Sequence, residues 1–166
     1  MKFNKAIKNL FIVLFSTLLI SACSTAKKAN VDTVDDVYTG TDTVEFLAKG
    51  VPDRIFFATN KSKLTTASRD TLRKQATWMR KNKDVTVTVE GHADERGTRE
   101  YNLALGERRA NAAKDYLMTY GVSGKRISVI SYGKERPVNP ASSPLAWSQN
   151  RRSVTVKANY TLLSLL

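Results

Sequence analysis

The chain has one cysteine and one histidine in 166 residues. A single thiol excludes an intrachain disulfide and a cysteine-cluster metal site. A single imidazole leaves a zinc centre, which needs three or four ligands of fitting geometry, short of donors. Acids are scarce too: 15 Asp and Glu against 27 Lys and Arg leave a net charge of +12. No G-x-S-x-G, Walker or zinc-protease pattern is present, so the common signatures of those enzyme classes are missing. The apolar run Leu10 to Ile20 has eleven residues, short of the roughly 20 that cross a bilayer. What remains is a basic chain of one domain plus extras. A basic surface points to an anionic partner such as nucleic acid, membrane or an acidic polymer, although basicity also serves solubility.

The first 22 residues read as an export signal. Lys2, Lys5 and Lys8 form a positive start ahead of the apolar run, which ends at Ile20-Ser21-Ala22-Cys23. This matches the bacterial lipobox, whose small residues fit the peptidase and whose thiol carries diacylglycerol. The only cysteine of the chain falls there. Cys23 is thus the expected lipidation site and mature N-terminus, and several acyl chains give stable anchoring where one binds marginally. By resemblance to known lipoproteins, Ser24 after the cysteine favours the outer membrane.

Residues 23–48 read as the lipidated N-terminus and a flexible tether, rich in Ser, Thr, Ala, Asp and Val. Acids cluster at Asp32, Asp35, Asp36, Asp42 and Glu45, and no Lys or Arg occurs from Ala29 to Ala48. Fully extended, residues 24–48 would span roughly 80 Å. The segment from Leu47 onward holds 22 Lys and Arg against 10 acids. The folded part is expected over 49–160, with an apolar tail at 161–166.

The order of elements follows from periodicity. Ile55 to Ala58 is a short strand. A helix starts near Thr65 or Thr66, ends near Asn82 and buries Leu72, Gln75, Ala76 and Met79. Val85, Val87 and Val89 alternate with Thr86, Thr88 and Glu90 as a strand. A polar elbow containing Gly91 and Gly97 leads into a second helix, which runs to about Tyr120 and stops at Gly121. Ile127 to Tyr132 and Val154 to Val156 are the last strands. Strand, helix, strand, helix, strand, strand, with two βαβ-like crossovers over one sheet, predicts an α/β (α+β) two-layer sandwich.

The elbow carries the unusual charges. Leu105, Arg109, Ala112, Ala113, Tyr116 and Tyr120 share a helix face by three- and four-residue steps. An arginine on that face needs an anionic partner, and Asp94 on the elbow is the evident candidate. Spacing alone is compatible with an internal salt bridge as well as with a binding pair. His92, beside Asp94 and Glu95, reads as a strand-end side chain lining or supporting the site.

The run G-H-A-D-E-R-G-T-R-E-Y-N-L-A-L-G-E-R-R-A-N-A from Gly91 to Ala112 resembles the signature of the OmpA-like peptidoglycan-binding domain family. Ser131-Tyr132-Gly133-Lys134 and the Asn150-Arg151-Arg152 approach to the last strand match it too, so the resemblance covers roughly 51–160. It implies noncovalent binding of the diaminopimelate in the wall's stem peptide, whose far end offers an ammonium and a carboxylate on one carbon. Asp94 maps to the family's ammonium acceptor and Arg109 to its carboxylate clamp, with Asn102 and Leu105 flanking. Thr59 and Asn60 fall on the loop that lines the family's pocket, but they replace an aromatic residue and an acid. Together with lipobox and tether, the resemblance implies an outer-membrane lipoprotein facing the periplasm within the Tol–Pal system. Its expected partners are peptidoglycan, the TolB propeller and other Tol proteins, and its expected role is in envelope integrity and outer-membrane constriction at division. No cofactor and no catalytic residue follow from it. The alternatives are an OmpA-like lipoprotein outside that system and a cell-wall hydrolase, which would need a carboxylate pair or metal. A nucleic-acid module fits the charge but lacks an aromatic platform or helix-turn-helix pattern.

Overall fold

A computed structural model describes residues 36–158. Cys23, the export signal and the tail 161–166 lie outside the described residues.

The first elements are β1 (Phe46–Ala48) and β2 (Val51–Pro52), an antiparallel hairpin. Its turn passes through Gly50 at φ 73°, a left-handed conformation that costs glycine nothing. β3 (Arg54–Phe56) follows, then α1 (Thr66–Lys81). α1 begins where the sequence places it because the Thr65 hydroxyl accepts from the Ser68 amide at 3.1 Å, satisfying one orphan donor of the first turn. Leu72, Gln75, Ala76 and Met79 form its buried face as expected.

β4 (Val87–His92) leads through the elbow into α2 (Arg99–Thr119), capped by Thr98. α2 ends in a Schellman motif: Gly121 (φ 82°) donates to the Met118 carbonyl and Val122 to the Leu117 carbonyl. Its buried face is turned slightly from the expected one. Leu105, Arg109 and Ala113 are buried together with Asn102, Gly106, Ala110 and Leu117, while Ala112, Tyr116 and Tyr120 are half-buried. A 3₁₀ turn (Gly124–Arg126) precedes β5 (Ile127–Gly133).

The loop expected after β5 contains a further helix, α3 (Pro144–Asn150), before β6 (Arg152–Lys157). Ser143 caps α3 and Pro144 opens it, the preferred chemistry for a helix start. Seven residues are too few for a periodic signal, so only the cap marks it in sequence.

The main sheet has the order β3-β6-β4-β5. β5 is parallel to β4, and β6 runs antiparallel to both of its neighbours. β3, β4 and β5 therefore end at the same edge of the sheet, where β6 begins. α1 and α2 share a core with Ile55, Phe57, Val87, Val89 and Ile127, giving the two-layer α/β sandwich. Met79 and Leu117 are fully buried in it, each contributing roughly 1.5–3 kcal/mol.

The tether expectation does not hold over 36–48. Tyr38 is buried, its ring edge-on to Phe56 at 4.8 Å, and Leu47 is buried in β1. Isolated aromatic and apolar residues in a polar stretch carry no period, but each finds an apolar surface to cover.

α2 crosses β4 at a glycine pair. A Cβ on Gly91 would stand 1.9 Å from the Gly106 carbonyl oxygen, and one on Gly106 2.4 Å from Ser131 Oγ. Gly91→Ala should therefore lower unfolding free energy by about 2–3 kcal/mol through overpacking. Gly50→Ala, which meets no neighbour, should cost only its backbone strain. Urea denaturation of both variants checks the difference.

Candidate functional site

Three segments meet where β3 and β4 end and β6 begins: the β3–α1 loop, the β4–α2 elbow and the α3–β6 junction. Asp94, on the elbow, is 7% exposed. Its carboxylate accepts from the Arg96 amide at 3.1 Å, from Arg96 Nε at 3.1 Å and from Arg96 Nη2 at 2.7 Å. It also accepts from Arg151 Nη1 at 3.3 Å. Burial alone would raise its pKa, but these bonds outweigh it and hold the carboxyl below its usual range.

Arg109 is not the direct partner of Asp94. It is fully buried, and its guanidinium donates to three backbone carbonyls: Lys61 at 2.9 Å, His92 at 2.8 Å and Ala58 at 3.1 Å. Burial, and then Arg151, push its pKa down to about 10, with Asp94 opposing at longer range. It stays charged at neutral pH and ties α2 to the β3–α1 loop and to the end of β4. The expectation of a direct pair rested on the right elements, but the side chain reaches past the carboxylate to the carbonyls beneath it.

The other expected residues are placed around this centre. Asn102, buried in the first turns of α2, donates to the Arg96 carbonyl at 2.9 Å and closes the elbow. Leu105 is buried one turn on. Asn60 is exposed at φ 55°, a left-handed turn position that asparagine tolerates, with the Lys61 amide closing the turn on the Ala58 carbonyl. Thr59 bonds through its amide and hydroxyl to Asp36, and its hydroxyl accepts from Arg96 Nη2 at 3.2 Å. Arg108 faces solvent.

Sequence reasoning did not single out Asp36, Arg96, Arg151 or Trp147. Arg151 is 2% exposed. It donates to the Phe57 carbonyl at 3.0 Å and pairs with both Asp94 and Asp36. Arg96 lies over the Trp147 ring, 4.2 Å from its centroid. Trp147 Nε1 donates to Glu95 at 2.8 Å, so α3 braces the elbow. The adjacent arginines Arg151 and Arg152, already part of the Asn150-Arg151-Arg152 match, were the available sequence signal.

His92 is buried against Tyr132, with ring centroids 5.5 Å apart, and neither ring nitrogen makes a well-formed hydrogen bond. Among the described residues, no group of three or more His, Cys, Asp or Glu side chains could hold a metal ion. Two surface hollows of about 750 and 520 Å³ lie elsewhere, beside α1 and between α2 and β5. At the candidate site the Asp94 carboxylate is met by Arg96 and Arg151.

Known proteins show the same fold and motif. Residues 56–151 match the OmpA family model. The chain is 45% identical over 149 residues to the peptidoglycan-associated lipoprotein of Mesorhizobium japonicum, covering 87% of this chain and 88% of that one. It is 56% identical over 106 residues to the protein of the same name from Rhizobium meliloti, covering 64% and 60%. The crystal structure of the peptidoglycan-associated lipoprotein from Burkholderia pseudomallei superposes with a TM-score of 0.62 at 32% identity, covering 64% of this chain and 90% of that one. The C-terminal domain of Helicobacter pylori MotB shares the fold at a TM-score of 0.60 and 23% identity, covering 64% and 84%.

Two predictions follow from the buried groups. Arg109→Ala would remove a charged donor from three carbonyls, of which Ala58 keeps the Lys61 amide, and should cost about 3 kcal/mol; urea unfolding reads this, and amide exchange at Lys61 should accelerate. The second concerns acid. Burial, with Arg152, Arg136 and Arg54 nearby, lowers the pKa of His92 from 6.5 to about 3. The unfolded chain takes up a proton below about 6.5 that the folded chain refuses. The stability contribution of neutral His92 is thus complete above that pH and is lost as pH falls toward about 3, by at most about 1.4 kcal/mol per unit. His92→Phe should flatten the stability profile between pH 6.5 and 5, measured by thermal unfolding.

Proposed function

This chain belongs to the OmpA family, and on that premise we propose that it is a peptidoglycan-binding lipoprotein of the bacterial envelope that grips the diaminopimelate of the wall's stem peptide noncovalently. The observation that carries the reading is Asp94: a nearly buried carboxylate at the sheet's end, beside a guanidinium from Arg151 and above the charge of Arg109. A group with an ammonium and a carboxylate on one carbon finds both counter-charges there within a few ångströms. The desolvated setting strengthens each contact. Thr59, Asn60, Asn102 and Leu105 shape the rim and floor. The fold is a binding module, and the site orients charges without a poised acid–base pair.

Lipidation at Cys23 would hold one end in the outer membrane while the domain, facing the periplasm, grips the wall. Residues 24–35 can span at most about 40 Å when extended, so the packing of residues 36–48 on the domain halves the reach expected of a tether to 48. Within the Tol–Pal system, the TolB propeller is the proposed protein partner, with a role in keeping the envelope together during division. The support for these finer points is the similarity to peptidoglycan-associated lipoproteins and the lipobox.

The test is co-sedimentation of the full chain in detergent with purified peptidoglycan. Wild type should pellet with diaminopimelate-type wall and far less with lysine-type wall, and should stay bound at 0.5 M salt. Asp94→Ala should remain in the supernatant with an unchanged circular dichroism spectrum. Equal pelleting of both proteins, released by salt, would mean that the basic surface alone is responsible.

A further inference from the structure

The charges at the site are met by two side chains that differ from the rest in one respect. Asp94, Arg109 and Arg151 are buried. Arg96, which sits on Asp94, has 41% of its side chain exposed, and Asp36, which sits on Arg151, has 51%. Asp36 presents one carboxylate oxygen to the Thr59 amide at 2.8 Å. The other meets the Thr59 hydroxyl and Arg151 Nη2, the latter at 2.9 Å. The backbone carbonyl of Asp36 accepts from the same Arg151 nitrogen. The Thr59 hydroxyl links the two visitors, since it also accepts from Arg96 Nη2 at 3.2 Å. A cation on the fixed anion, and an anion on the fixed cation and amide, reproduce the charge pair of a free amino-acid end.

We propose that Thr59 and Arg151 receive the ligand's carboxylate, and that Asp36 holds that place in the free protein, so that gripping the wall releases the start of the N-terminal segment. The inference rests on the preceding reading of a zwitterionic ligand at Asp94. Its energetics follow from exposure. Water competes for the half-exposed outer partner of each pair, Arg96 and Asp36, which makes these the partners that a ligand displaces at least cost. A ligand carrying both charges on one carbon displaces the two stand-ins together, with one loss of rotational freedom instead of two. Release stops at Tyr38, which is buried with its ring edge-on to Phe56, so β1 and the hairpin keep their places. Arg96 can swing away while remaining over Trp147. Thr59 is suited to this role because its amide and hydroxyl point at one acceptor, where an aromatic residue would offer the amide alone.

The experiment titrates the full chain, in detergent, with a soluble muropeptide whose stem ends in meso-diaminopimelate, and with its analogue amidated at that residue's free carboxylate. Asp36→Ala should bind the acid form about 5- to 20-fold tighter than wild type at low salt, since an internal competitor is gone. The gain should shrink at 0.5 M salt. Arg151→Lys should weaken binding of the acid form about tenfold, as the planar fork is lost. The amidated form should bind weakly to all and gain nothing from Asp36→Ala. If Asp36→Ala binds no tighter while Asp94→Asn abolishes binding, the pocket stands and the role of Asp36 is refuted. An equal gain for the amidated form also refutes it. If wild type and Asp36→Ala both ignore the muropeptide, the parent reading falls and this inference with it.

Discussion

Arg109 bonding three carbonyls is the interaction on which the site depends. Its guanidinium joins the middle of α2 to the Ala58 and Lys61 carbonyls of one loop and to the His92 carbonyl at the end of β4. Buried carbonyls without partners are costly, and a charged donor meets them more strongly than a neutral one. The β3–α1 loop and the elbow are thereby held in one geometry. The close approach at Gly91 and Gly106 lets α2 come near enough for the side chain to reach. A residue that resembles a ligand clamp in sequence thus works first as a strut.

Around that strut the molecule buries more arginines than acids, and it satisfies them by different means. Arg126 bonds the carbonyls of Met79, Asn82 and Val85, tying the start of β5 to the end of α1. Arg54 pairs with Asp53. Arg152 is buried, and burial with Arg54 nearby lowers its pKa to about 10. Carbonyls serve as partners where carboxylates run short. This explains how a chain with 27 basic and 15 acidic residues can bury arginines without burying an equal number of acids. The acids that do reach the interior, Asp53 and Asp94, each answer an arginine, and Asp94 lies just past the end of β4, on the elbow that leads into α2.

Much of the architecture was legible before the structure. The cap at Thr65, the glycine after α2 and the valine alternation of β4 are local signals, and local signals survive into the fold. The buried face of α1 was read residue by residue. α3 was missed because its only mark is a Ser-Pro start. The packing of residues 36–48 was missed because Tyr38 and Leu47 sit singly in a polar stretch, where burial depends on what lies opposite. At the candidate site, the motif marks the elbow and helix that hold Asp94 and Arg109. It did not reveal that Arg151, contributed from 57 residues further along, is the arginine in contact with Asp94.

The amino-acid sequence by itself determined the order of the main strands and helices, the two-layer class, the family and the stretch that carries the unusual charges. These follow from periodicity, capping and a contiguous motif, all of which act over a few residues. The tertiary structure decided which charges pair. Ion pairing depends on distances of a few ångströms between segments far apart in the chain, and a guanidinium can choose among several carbonyls and carboxylates within reach. Only the assembled sheet edge, with Asp36, Asp94, Arg96, Arg109 and Arg151 brought together, sets which of them are fixed and which can be displaced.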